Sequence, residues 1–278
     1  MAGLNDNSFL FGLLGDARVF KSPSAMMHVN ALSRVGLTGH YLPLKVEAKS
    51  LKAALAKLSA LEFKGLNVTA PHKQAVMPHL MAISPDAQAI GAVNTLLPAP
   101  GGFAGHNTDS PGFAAAYLSQ PPGQTALVYG AGGAARAVIQ ALKANGLRVF
   151  VTARSLEPAQ RLAQEFGQKA IGVNDLAAHG PYPILVNASS ASYEADLNPA
   201  PQPPLSPGAL VVDINYGRPF NHWERLATDA GARFEDGLAM LANQARLSFN
   251  LWTNTNVDLS PFTEALSVYL KEGLKPAV

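Results

Sequence analysis

The chain has 278 residues, 48% of them hydrophobic and 14% charged, with a net charge of +2 and no cysteine. That length suits one large or two ordinary domains, and that composition argues against disorder. Near neutrality removes the electrostatic case for nucleic acid or an anionic membrane as partner, and the lack of cysteine excludes disulfides and thiolate metal sites.

Residues 9–14 read as a strand. Residues 24–35 have helical spacing after Pro23, with Gly36 as the stop, and 40–45 form a short apolar-rich segment. Residues 50–61 read as a helix capped by Ser50, 66–69 as a short strand running into Pro71, and 91–97 as another strand region. This alternation predicts a smaller α/β domain. From about Thr108 a βαβ series begins: strands at 126–129, 148–152, 184–187 and 210–214, and helices at 134–144 and 158–166. Such a series predicts a doubly wound parallel sheet. Five prolines in residues 199–207 predict a loop inside it. Residues 238–252 and 261–270 read as closing helices. We therefore expect an α/β protein with two domains and a cleft between them. One comprises residues 1–108 and 244–278, and the other residues 109–243. The opening residues lack a basic segment followed by an apolar run, and no apolar run reaches the ~18 residues of a membrane helix. A cytoplasmic location is expected.

The sequence Leu127-Val-Tyr-Gly-Ala-Gly-Gly-Ala-Ala-Arg carries the strongest chemical signal. Strand, glycine turn and helix start follow one another. Glycines let the backbone turn tightly against a diphosphate, and a helix N-terminus favours negative charge. Gly130, Ala131, Gly132, Gly133 and Ala134 are the expected cradle. NAD-binding chains usually end the second strand on an acid about 20 residues later, which binds the ribose 2′-hydroxyl. Here Arg154 and Ser155 stand at that tip. A guanidinium fork suits a 2′-phosphate, so NADP is expected, with NAD possible.

Four further segments set compact polar groups beside glycine or proline: Lys21-Ser22-Pro23, Asn67-Val-Thr69-Ala-Pro71-His-Lys73, Gly91-Ala-Val-Asn94-Thr95 and Gly105-His-Asn107-Thr108-Asp109. Such groups suit a polyhydroxylated small molecule. With the glycine turn and the late Asp236-Gly237-x-x-Met240-Leu241-x-x-Gln244, the ordered set resembles the shikimate dehydrogenase family, which includes enzymes acting on quinate and aminoshikimate. The resemblance implies NADP-linked interconversion of 3-dehydroshikimate and shikimate, a step toward aromatic amino acids. It implies Lys73 and Asp109 as the catalytic pair. Reduction of a ketone leaves an alkoxide that must gain a proton, and a lysine beside a carboxylate can relay one. By the same resemblance Ser22, Thr69, Asn94, Gln244 and Tyr216 bind substrate, Asn67 supports their loop, and Gly237 joins the cofactor set. A small ring acid and no metal are implied, with a monomer or homodimer as the assembly.

The chain departs from the family pattern in places. Phe20 stands where the family has a serine, removing a hydroxyl from the expected carboxylate site, and Arg18 is either a compensating partner or a plain surface arginine. Ser110, His106 and Ala153 replace a glycine, an acid and an asparagine, and His72, beside Lys73, is expected to be solvated. These changes keep two alternatives open: a related ring hydroxy acid as substrate, or a nucleotide-binding regulator without catalysis.

Overall fold

The computed structural model describes residues 8–271 apart from 120, 122, 198 and 199. The chain forms two compact units, Met1–Thr108 with Ala242–Val278, and Asp109–Leu241.

The first unit contains β1 (Ser8–Gly15), α1 (Ser24–Arg34), β2 (Thr38–Lys45), α2 (Leu51–Ala60), β3 (Gly65–Val68), α3 (His72–Ala75), β4 (Ala82–Ile83), α4 (Pro85–Ile90), β5 (Thr95–Ala99) and β6 (Gly102–His106). Its sheet runs β2-β1-β3-β5-β6-β4. The first three strands are parallel, and β5 is antiparallel to both neighbours. Pro23 occupies the N-cap of α1, and Met27, His28, Ala31 and Leu32 line its buried face. Gly36, at φ +70°, ends it in a conformation that costs glycine little. Ser50 holds the N-cap position of α2 without a side-chain capping bond. The strand expected over 91–97 begins only at Thr95, because Gly91 at φ +66° closes α4. Leu14, Leu55, Phe63, Leu66, Val93 and Phe103 pack one core. Each such side chain contributes about 1.5–3 kcal/mol.

The second unit contains α5 (Asp109–Tyr117), β7 (Thr125–Tyr129), α6 (Gly133–Ala144), β8 (Arg148–Thr152), α7 (Leu156–Glu165), β9 (Lys169–Ala170), β10 (Tyr182–Asn187), β11 (Leu205–Asp213), α8 (His222–Asp229) and β12 (Arg233–Asp236). Its sheet runs β12-β11-β10-β7-β8-β9, all parallel. This is the doubly wound dinucleotide-binding order, whose switch point lies between β7 and β10. Alternate residues of β7 face opposite layers: Ala126 and Val128 pack with Val138 and Leu162, while Leu127 and Tyr129 pack with Trp223. The proline-rich stretch is only partly a loop. Pro199 lies outside the described residues, and Leu205, Ser206 and Pro207 extend β11 at its N-terminal end, where a missing N–H is tolerated. Ile214, expected as strand, falls just past it. Two further helices follow, α9 (Leu238–Thr253) and α10 (Ser260–Lys271). Among the described residues no helix is long and apolar enough to cross a membrane.

The core of the first unit includes an ionisable imidazole, His28. His28 stacks on Tyr41 (centroids 4.7 Å apart, 4° between planes), with Phe262 edge-on at 5.9 Å. Neither of its ring nitrogens has a hydrogen-bond partner among the described residues. Burial pushes its pKa down to about 3 from 6.5. The unfolded chain therefore takes up this proton first. The stability owed to neutral His28 is complete above pH 6.5 and is lost as pH falls toward about 3. A His28→Phe variant, followed by chemical denaturation across this range, is expected to lose less stability on acidification than the parent. Parallel pH profiles would contradict the assignment.

Candidate active site

Five buried polar side chains of the first unit form one network: Asn67 on β3, Asn94 before β5, Thr95 at its start, Thr108 after β6, and Ser248 on α9. Asn67 Oδ1 accepts from the Tyr41 hydroxyl at 2.9 Å, and its Nδ2 donates to Asn94 O at 3.2 Å and Ser248 Oγ at 3.0 Å. Asn94 Oδ1 accepts from Thr108 N at 2.8 Å and from Thr95 Oγ1 at 2.9 Å. A backbone N–H can only donate, so the Asn94 amide has one possible orientation. Its Nδ2 then points toward Thr108 Oγ1 at 2.9 Å and Gln244 Oε1 at 3.4 Å. Ser248 Oγ lies 2.8 Å from Thr95 Oγ1 and 3.0 Å from Thr108 Oγ1, and bonds the Gln244 carbonyl one turn back at 3.0 Å. Buried polar groups tied this fully define a single geometry.

The expected site residues attach to this network to different degrees. Lys73 is half-buried on α3, and its carbonyl accepts from Val93 N at 2.8 Å, which fastens α3 to the residue preceding Asn94. Asp109 is buried and follows Thr108 directly as the first residue of α5. The Lys73 backbone is thus anchored on Val93, and Thr108, the residue before Asp109, on Asn94. Thr69 follows β3, with its N–H on Leu14 O at 2.9 Å and its carbonyl accepting from His72 N at 2.9 Å. Ser22 Oγ lies 2.9 Å from Ser24 Oγ. Tyr216 is half-buried after β11 and belongs to the second unit. Gly237 has a packing reason for its missing side chain: a Cβ there would lie 2.0 Å from Ile214 O.

One sequence expectation requires correction. His72 is buried rather than solvated, and its Nε2 pairs with Val46 O at 2.7 Å, clamping α3 to the end of β2. Arg18 is already engaged: its Nε and Nη2 bind both oxygens of Asp16 at 2.7–3.1 Å. Phe20 beside it is 62% exposed and brings no polar group.

In the second unit Gly130 has φ +129°, and a Cβ there would meet the Ala188 backbone at 2.8 Å, so only glycine fits. Gly132, the N-cap of α6, faces open space where a Cβ would stand, and no side chain caps the helix. These are the conditions for a diphosphate to approach the helix N-terminus. Ala131 lies in the same turn, and Ala134 in the first turn of α6. Arg154 is exposed at the tip of β8, and Ser155 occupies the N-cap of α7 without a capping bond. Arg154 lines a pocket of about 600 Å³ with Ser190, Tyr193, Asp196 and Arg218. The donor set therefore fits a dinucleotide.

Three family models match the chain: the shikimate dehydrogenase substrate-binding domain over residues 14–96, shikimate/quinate 5-dehydrogenase over 113–218, and the shikimate 5′-dehydrogenase C-terminal domain over 237–266. The chain belongs to the shikimate dehydrogenase family. The NADP-dependent shikimate dehydrogenase of one Thermus thermophilus strain is 40% identical over 258 residues, covering 92% of this chain and 96% of the relative. The crystal structure of shikimate 5-dehydrogenase from a second T. thermophilus strain, in complex with NADP(H) and shikimate, superposes with a TM-score of 0.83 at 37% identity, over 94% of this chain and 99% of that one. The Listeria monocytogenes enzyme in complex with shikimate and NAD gives 0.83 at 26% identity, over 96% and 99%. The sheet of the second unit is accordingly the Rossmann sheet of this family.

Sequence reading missed the role of Ser248, although its i+4 spacing from Gln244 places both on one helix face. In this shikimate dehydrogenase relative, Ser248→Ala deprives Thr95, Thr108 and Asn67 of a partner at once. We expect a loss of about 1–3 kcal/mol, read from the denaturation midpoint of the whole chain. An unchanged midpoint would show that Ser248 does not hold the network.

Proposed function

We propose that this chain catalyses the reversible NADPH-dependent reduction of 3-dehydroshikimate to shikimate, in the route to aromatic amino acids. The observation that carries the reading is the tethering of Lys73 and of the residue preceding Asp109 to the Asn94 segment. The first unit, 1–108 with the chain's closing residues, takes the substrate role, and the Rossmann unit takes NADP. When bound, the cofactor would supply a hydride to a ring carbonyl carbon. Gly130, Ala131, Gly132, Gly133 and Ala134 would hold its diphosphate, Arg154 and Ser155 its 2′-phosphate, and Gly237 would lie against it. The Lys73 ammonium stabilises the oxyanion that forms at the carbonyl oxygen and delivers its proton, with Asp109 orienting the amine. In the reverse direction the same pair removes the hydroxyl proton.

Ser22, Thr69, Asn94, Gln244 and Tyr216 bind the ring hydroxyls and carboxylate. Asn94 Nδ2 reaches Gln244 Oε1 at 3.4 Å, which supports a shared role for these two residues. Phe20 removes one expected hydroxyl, and a hydrogen bond to a charged group is worth about 1.5–3 kcal/mol. The substitution favours a second reading, in which quinate, aminoshikimate or a related ring acid is preferred. A cytoplasmic monomer or homodimer completes the proposal.

Steady-state oxidation of shikimate and quinate, each with NADP and NAD, tests the assignment. We expect shikimate with NADP to give the highest kcat/KM. Preference for quinate would favour the second reading, and tight NADPH binding without turnover of any ring acid would refute catalysis. Lys73→Ala is expected to lower kcat by about 10²- to 10⁴-fold with the NADPH Kd nearly unchanged. Near-parental kcat would remove Lys73 from the mechanism.

A further inference from the structure

The loops at the C-terminal end of the Rossmann sheet are organised around a buried carboxylate. Asp213 Oδ1 accepts from Asn187 Nδ2 and Asn215 Nδ2, both at 2.8 Å, and Oδ2 accepts from Asn221 Nδ2 at 3.2 Å. Asn221 Nδ2 also bonds Arg218 O at 3.0 Å. The Arg218 side chain is fixed in turn, its Nη1 donating to Ser190 O at 2.7 Å and to Ser192 Oγ at 3.0 Å, with Ser192 fully buried. Its Nε and Nη2 have no hydrogen-bond partner among the described residues. Arg218 lines the same 600 Å³ pocket as Arg154, which has neither a hydrogen bond nor an ion pair among the described residues. Asp196 is the pocket's one carboxylate, and Tyr193, 41% exposed, offers a ring face.

Two guanidinium groups against one carboxylate, with an aromatic face beside them, suit a phosphomonoester carried on a purine nucleoside. We propose that Arg218 is a specificity-determining residue for the cofactor: with Arg154 it grips the 2′-phosphate of the adenosine end, and thereby offsets the loss of asparagine at Ala153. The inference rests on the dinucleotide reading of this unit. Because Arg218 is held in place by Ser190, Ser192 and Asn221 before any ligand arrives, little side-chain entropy is lost on binding.

Titration calorimetry of the full chain with 2′-AMP, 5′-AMP, NADP and NAD tests this without any need for turnover. Arg218→Gln is expected to weaken 2′-AMP and NADP by about 10- to 100-fold while leaving 5′-AMP and NAD within about twofold. Arg218→Lys, which keeps the charge but not the fork, is expected to fall between. Unchanged NADP affinity in Arg218→Gln would overturn the inference, as would equal loss of NADP and NAD, which marks a merely structural role. So would a parent chain that binds NAD more tightly than NADP, with Asp196 then taking the 2′-hydroxyl. A parent chain that binds NADP through Arg218 yet turns over no shikimate refutes the activity proposed above and upholds this inference.

Discussion

The structure of the substrate unit depends on one side-chain amide. Asn94 accepts the backbone N–H of Thr108, and that bond settles which way the amide faces. Everything polar around it follows. Thr95 and Thr108 turn their hydroxyls toward it, Ser248 closes the ring from α9, and Gln244 comes within reach of the amide nitrogen. The same segment holds α3 through Val93, and therefore the lysine on it. None of these bonds carries formal charge. A network of amides and hydroxyls in a buried setting gains precision from having every member satisfied, and it avoids the desolvation cost of a buried ion.

The nucleotide unit follows the opposite logic. Its turn at Gly130 is set by what cannot be there: a Cβ would strike the Ala188 backbone. Its loops are set by a buried charge, Asp213, whose pKa is raised by burial even as Asn215, Ser192 and Asn187 hydrogen-bond to it. Amide donors spread over residues 187–221 converge on that carboxylate. The result is a rigid rim with a clamped arginine at the edge of an open pocket.

Much of this was legible in the sequence wherever the signal is local. The glycine turn between an apolar strand and a helix, the helix after Pro23, and the strand at residues 148–152 all follow from short-range pattern. The strands β4, β6, β9 and β12 escaped notice because each is short, lacks a continuous apolar run, and depends on partners elsewhere in the sheet. His72 looked solvated because it follows a proline in a polar loop; its burial comes from Val46, 26 residues away. Arg218 carried no motif at all. Its importance arises from Ser190 and Ser192, which meet it only when β10 and β11 pair. Phe20 was the clearest anomaly in the sequence, and it remains solvent-exposed in the fold.

The central claim is the proposed joint action of Lys73 and Asp109 on one proton. A double-mutant cycle on kcat/KM for shikimate oxidation, built from Lys73→Met, Asp109→Asn and the double variant, measures this directly. Residues that act together are strongly non-additive, so the account predicts a double variant about as slow as the slower single one. A double variant whose loss equals the product of the two single losses would show independent roles and contradict the account.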